Sequence, residues 1–143
     1  MRRRAILSGL GLAAVALSAF RVPMLMAREK HYKLSRDDIR PLAMGRGGCI
    51  ASDRITVEGL PVGFMYRQKP RNDMDSGWAF LSGTEDDAYM NDPANHGIYD
   101  VNTIANYDAS IIPFLDSPVG SVFEKLPDAP DFVAVTDWTP PGD

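Results

Sequence analysis

The seven residues Val62 to Gln68 set the tightest limit on what this chain can fold into. Val62, Phe64 and Tyr66 alternate with Gly63, Met65 and Arg67, a period of two that belongs to a strand with two different faces. Around it lie further short apolar segments closed by turn formers. Cys49-Ile50-Ala51 predicts a short strand. Ile55 and Val57, alternating with Thr56 and Glu58 ahead of the Gly59-Leu60-Pro61 turn, predict another. Trp78 to Leu81, closed by Ser82-Gly83, continues the series, followed by Ile98 to Val101, Val119 to Glu124 and Phe132 to Val135.

The helical signals are all short. Thr84 is placed to cap a helix running through Met90, with Glu85, Asp86 and Asp87 in its first turn facing water. Asn102 to Tyr107 and Ala109 to Leu115 read as two helical pieces divided at Asp108, with Pro113 suited only to a helix start. Strands in groups, with short helices between some of them, predict an α+β fold with a mainly antiparallel sheet and a few short helices.

A length of 143 residues holds one such domain and flanking segments. Met1 to Ala27 has the layout of an export signal: Arg2, Arg3 and Arg4, then sixteen uncharged residues from Ala5 to Phe20. Arg3-Arg4-Ala5-Ile6-Leu7 resembles a twin-arginine signal. Arg2 stands where that signal usually has a polar residue, so ordinary secretion stays open as a route. Cleavage after Ala27 or Ala19 is opposed by Leu25 and Leu17, which are large for their positions, and an uncleaved signal would anchor the chain in the inner membrane. The expected location is periplasmic or otherwise extracytoplasmic, with membrane contact only through this segment. Residues 28–47 read as a basic linker ending in the flexible Gly45-Arg46-Gly47-Gly48, 48–135 as the domain, and 136–143 as a loose tail. Within the linker, Ser35 and Asp38 have the spacing of a capping box.

Charge is distributed unevenly. Residues 28–71 hold ten basic and five acidic side chains, whereas 72–143 hold Lys125 alone against fourteen acids, a net of −13. That half steers basic partners towards it and argues against nucleic-acid binding. Cys49 is the one cysteine, so no internal disulfide forms, and it reads as a small buried hydrophobe. With His31 and His96 the only histidines, a structural zinc site lacks ligands. No cofactor motif is present; Gly45-Arg46-Gly47-Gly48 lacks the upstream strand and the Lys-Ser/Thr pair of a phosphate loop.

The stretch Asp75 to Asp108 differs most from the rest, with a run of acids, Trp78 and three of the five Tyr. A calcium loop counted back from Gly77 fails, because Met74 falls at a ligand position and Gly83 at the position of the bidentate carboxylate. Catalytic Ser or His signals are weak: Ser76 and Ser82 lack the context of a nucleophile elbow, and His96 reads as a loop residue. Asn102 and Asn106 read as residues that fix turns through side-chain to backbone bonds.

Several blocks, in order, resemble a known family. They are Gly48-Cys49-Ile50-Ala51-Ser52-Asp53-Arg54-Ile55, Val62-Gly63-Phe64-Met65-Tyr66-Arg67, Asp75-Ser76-Gly77-Trp78, Ser82-Gly83-Thr84-Glu85 and Tyr99-Asp100-Val101-Asn102-Thr103-Ile104. Asn106-Tyr107-Asp108, Ile111-Ile112-Pro113 and Ser117-Pro118-Val119-Gly120-Ser121 continue the match. Together they resemble a bacterial domain family of unknown function grouped with the immunity proteins of polymorphic toxin systems, immunity protein family thirty-three. The resemblance implies a small α+β domain that binds and neutralises a toxin, with no catalytic residues to carry over. Taken with the −13 half, it makes a basic protein partner the expectation, contacted by Asp75, Trp78, Glu85, Asp86 and Asp87. The alternatives are an exported hydrolase drawing on Asp73, Asp75, Glu85, Asp86 and Asp87, and a structural envelope domain.

Overall fold

A computed structural model describes residues 29–142; the export segment read from Met1 to Ala27 lies outside them. Six strands form one sheet: β1 (Gly48–Ser52), β2 (Phe64–Arg67), β3 (Asp75–Leu81), β4 (His96–Asp100), β5 (Val122–Glu124) and β6 (Val133–Ala134). Their order across the sheet is β4-β1-β3-β2-β5-β6. β1 runs parallel to β3, and every other neighbouring pair is antiparallel. The fold is α+β with a mostly antiparallel sheet.

Period-two alternation sorts side chains to the two faces. Met65, Trp78, Phe80, Cys49 and Ala51 face a core completed by Ile55, Val101, Ile104 and Ile111. Phe64, Tyr66, Ala79, Leu81 and Ile50 face a second core with Met90 and Val122. Phe64, Met65, Tyr66, Phe80 and Leu81 are fully buried, and each such side chain stabilises the fold by about 2–3 kcal/mol.

Three short α-helices complete the domain: α1 (Asp53–Thr56), α2 (Asp87–Met90) and α3 (Val101–Tyr107), with a 3-10 helix over Ala109–Phe114. Ile55 lies in α1, not in a strand. The Ser52 hydroxyl accepts the Arg54 amide and starts a helical turn that buries Ile55 and Thr56. α2 starts later than its sequence predicts, because Asp86 rather than Thr84 is its cap and accepts the Tyr89 amide at 2.8 Å. Asp108 divides the two helical pieces as expected; it is the C-terminal cap of α3 and the N-terminal cap of the 3-10 helix that follows, in which Pro113 is tolerated.

The DSGW block shapes the centre of the sheet. Gly48 pairs with Asp75 but Ile50 pairs with Ala79, so β3 bulges against β1. The Ser76 hydroxyl bridges the bulge, donating to the Gly48 carbonyl at 2.6 Å and accepting the Trp78 amide at 3.1 Å. Gly77 has a φ of +86°, and a Cβ there would stand 2.0 Å from the Gln68 carbonyl oxygen. No other residue fits.

Residues on both sides of the sheet's first and last strands pack onto it. Asn102 and Asn106, one turn apart on α3, both bond the backbone of Arg40, at 2.9 and 2.8 Å through their amide nitrogens. The Leu34 amide donates to the Tyr107 hydroxyl at 3.1 Å, and Lys30 Nζ bonds Asp53 at 2.8 Å and the His96 carbonyl at 3.0 Å. Ser35 and Asp38 form the expected capping contact around a 3-10 turn, Arg36–Asp38. Trp138, read as part of a loose tail, instead packs edge-on against Phe64 and Tyr66, at 5.4 and 5.2 Å between centroids. Its ring covers part of the second sheet face, burial that outweighs the disorder expected of a Pro-rich end.

Candidate functional site

The five residues expected to meet a partner fall in three different settings. Trp78 is 2 % exposed. Its indole N–H donates to the Leu115 carbonyl at 3.2 Å, its ring stacks on Phe80 at 5.9 Å, and the Arg67 guanidinium lies over it at 5.8 Å. Trp78 is therefore a core residue and not a surface anchor, since its alternation position on β3 points it inward.

Glu85 is fully buried, which corrects its reading as a helix-start acid facing water. One carboxylate oxygen accepts the Ser82 amide and the Ser82 hydroxyl, both at 2.9 Å, and the other accepts the Gly83 amide at 2.9 Å. Three donors supplied by the turn after β3 compensate for the loss of water around the charge. Glu85 holds that turn closed.

Asp75 is half-buried at the start of β3, where it accepts the Gly77 amide at 2.9 Å and the Arg71 amide at 3.0 Å. Asp86 and Asp87 are exposed. They stand together at the start of α2, on the sheet face that Met90 helps to bury, with Asp86 capping the helix through the Tyr89 amide. Asp73 is also exposed, on the loop before β3. Asp75, Glu85 and Asp86 thus each accept neighbouring backbone amides.

A second polar group, invisible in the sequence, gathers where the parallel pair β1 and β3 ends. His96, 7 % exposed, opens β4 opposite Ser52. Its ring meets Tyr89 edge-on at 5.8 Å, and neither ring nitrogen reaches a hydrogen-bond partner of good geometry, although the Tyr89 and Met90 carbonyls are near. Burial lowers its pKa from the usual histidine value, opposed by the nearby charges of Asp53 and Glu85. The Arg54 guanidinium lies over the other side of this cluster, 4.6 Å from the Tyr89 ring centre, and donates to the Thr84 hydroxyl at 3.1 Å. His96 read as a loop residue between Asn95 and Gly97 because its partner in register, Ser52, lies 44 positions away, a long-range pairing that local pattern does not carry.

Cys49 is buried and unpaired, and burial, reinforced by the charges of Asp100 and Asp75, pushes its thiol pKa well above the ordinary value. It is a core hydrophobe, as its apolar neighbours predict. Among the described residues no cluster of three or more His, Cys, Asp or Glu side chains could hold a metal ion. Surface hollows occur among the described residues. One, of about 280 Å³, is lined by Glu29, Lys30, Asp53, Glu58 and Tyr89; another, about 170 Å³, lies among Gly48, Ile50, Arg71, Met74 and Ile98.

The blocks that build this geometry are the β1–α1 unit, the bulged start of β3, the Ser82-to-Glu85 turn and the Asp100-capped helix α3. Apart from Gly48, they lie inside the segment, residues 49–136, that matches the Immunity protein Imm33 domain. The chain belongs to the Imm33 immunity-protein family. No curated protein and no solved structure matches it. Within an Imm33 domain the matched motifs have structural duties. Ser76 and Gly77 make the bulge, Glu85 closes a turn, and Asn102 and Asn106 hold residues 40–43. Asp73, Asp86, Asp87, Asp92 and Asp100 are all exposed.

Proposed function

We propose that this Imm33 protein protects its own cell by binding a basic toxin and blocking it, without catalysis. The reading rests on one observation above the others: family membership over residues 49–136, joined to an exposed acidic surface in a half-chain with fourteen acids against one lysine. Opposite charge accelerates the encounter and disfavours wrong partners. Asp86 and Asp87 are the contact residues carried forward from the sequence, with Asp75 at the margin.

The same proposal places the encounter outside the cytoplasm, delivered there by the arginine-led segment Met1 to Ala27. Among the described residues no helix is long and apolar enough to cross a membrane. Co-expression with the toxin-like reading frame nearest the gene tests the function. Cells should survive when the full chain is present, and the two products should co-purify. Survival unaffected by the chain, with no complex recovered, sinks the proposal. Retaining rescue after Arg3 and Arg4 are both changed to Lys would remove the twin-arginine part alone.

A further inference from the structure

Among the described residues the sheet has one unprotected edge. β4 is last in the strand order and pairs only with β1. The Val101 amide bonds the Gly47 carbonyl, so in this antiparallel register Tyr99 and Gly97 turn their backbone groups towards β1. His96, Ile98 and Asp100 therefore turn theirs away from it. Lys30 caps the His96 carbonyl; beyond it the Ile98 amide and carbonyl face outward, with no strand of the described residues alongside.

Edges of this kind are normally blunted by Pro, by an outward Lys or by a bulge. β4, with the sequence His-Gly-Ile-Tyr-Asp, has no Pro and no Lys, and its pairing with β1 runs without irregularity over all five residues. The opposite edge, β6, is two residues long and is followed by Pro140 and Pro141. Only one of the two edges has been left as a template.

Side chains beside β4 say what the template takes. Ile98 is 52 % exposed and Met74 80 %. The hollow of about 170 Å³ between them lies over Gly48 and Ile50 of β1, so of the two it is Ile98 that borders the outer flank of β4. Its surroundings carry exposed Asp73, Asp92 and Asp100. The neighbouring cations are already engaged: Lys30 with Asp53 at 2.8 Å and Arg71 with Asp75 at 3.6 Å. The field offered to an incoming strand is negative, which favours a basic segment. It disfavours a second copy, which would bring the same acids to the same edge.

We infer that β4 is the docking edge for the toxin: an extended, basic segment of the partner adds to it as a seventh strand and packs one aliphatic side chain against Ile98. This rests on the immunity reading above and specifies how the partner is held; main-chain bonds supply affinity, and Ile98 and the acids supply selectivity.

Two arms test it, both with the full chain. The first titrates isotope-labelled protein with the peptide acetyl-Lys-Val-Lys-Ile-Lys-Val-Lys-amide and follows backbone amide signals. Saturable shifts at Ile98 and Asp100 are expected, absent with the same peptide carrying Glu for Lys. The variant Ile98→Lys, its melting temperature unchanged, should weaken binding about tenfold or more. Shifts confined to Asp86 through Tyr89, or none, overturn the inference. So does concentration-dependent dimerisation in sedimentation with the Ile98 amide protected, which would assign the edge to a second copy. The second arm repeats the rescue experiment with Ile98→Lys. Lost rescue by a folded variant supports the docking edge. Intact rescue overturns it and leaves the immunity function standing, whereas failure of the unaltered protein to rescue removes the function itself.

Discussion

The side-chain oxygen of Asn102 accepts the backbone amide of Ala43 at 2.8 Å, across 59 positions of sequence. The same oxygen accepts the Leu42 amide at 2.8 Å, and the amide nitrogen donates to the Arg40 carbonyl at 2.9 Å. One side chain thus satisfies three backbone groups of a segment that has no secondary structure of its own. Asn102→Ala leaves the buried Ala43 amide without a partner, while the Arg40 carbonyl keeps Asn106 and the Leu42 amide keeps the Arg40 carbonyl; the domain is expected to lose about 1–3 kcal/mol, the cost of one orphaned buried group. Urea unfolding measures the loss. Limited proteolysis should show new cleavage near residues 40–43 before the sheet opens.

The Ser82 turn separates two kinds of acid. Glu85→Ala strips three donors of a buried acceptor and is expected to cost about 3 kcal/mol. Asp87→Asn, on an exposed side chain, should change stability by less than about 0.5 kcal/mol while weakening toxin binding and flattening its salt dependence. Thermal melts and binding isotherms on the pair distinguish a structural carboxylate from a recognising one; equal stability losses would refute the assignment.

Gly77→Ala places a methyl group where 2.0 Å separates it from the Gln68 oxygen, on a backbone with φ of +86°. Strain of this type is worth about 1–3 kcal/mol before the clash is relieved. The variant should melt well below the parent, and Gly142→Ala, where nothing lies within 4 Å, should not.

Acid sensitivity follows from His96. Its folded pKa is lowered by burial, so the unfolded chain takes up a proton at higher pH than the folded one. Above about pH 6.5 both states are neutral and the residue gives no pH dependence. As pH falls below that value the unfolded state is favoured, and the loss continues until the folded pKa is reached. Unfolding free energy should therefore decline with acidification through this window, and His96→Phe, which also removes two unpartnered nitrogens, should flatten that part of the profile. Asp53 and Glu85 are the charges that oppose the shift.

Much of the sheet was legible from alternation alone. Phe64 and Tyr66 share one face and Met65 takes the other, as a period of two demands. Ile55 and Val57 misled because two apolar residues separated by one position fit a strand or part of a helical turn equally; the Ser52 cap decides for the helix. The parallel pairing of β1 with β3 depends on contacts between distant segments and leaves no local pattern. Of the candidate site, Asp86 and Asp87 kept the exposed acidic character read from the sequence. Trp78 and Glu85 did not: a strand position buries one, and three well-placed donors make a buried charge tolerable for the other. His96 was missed because burial in a cluster from four segments has no spacing to detect.

The position of β1 has a consequence for synthesis. It lies between β3 and β4, both made after it, so the first strand to leave the ribosome is the one that waits for its neighbours. β2 and β3 can meet as a local antiparallel pair, but β1 keeps one bare flank until residue 100 has been translated. Non-local pairings of this kind come late. The chain therefore becomes foldable only when most of it exists, and a prematurely ended product betrays itself by an open central strand that chaperones and proteases can recognise.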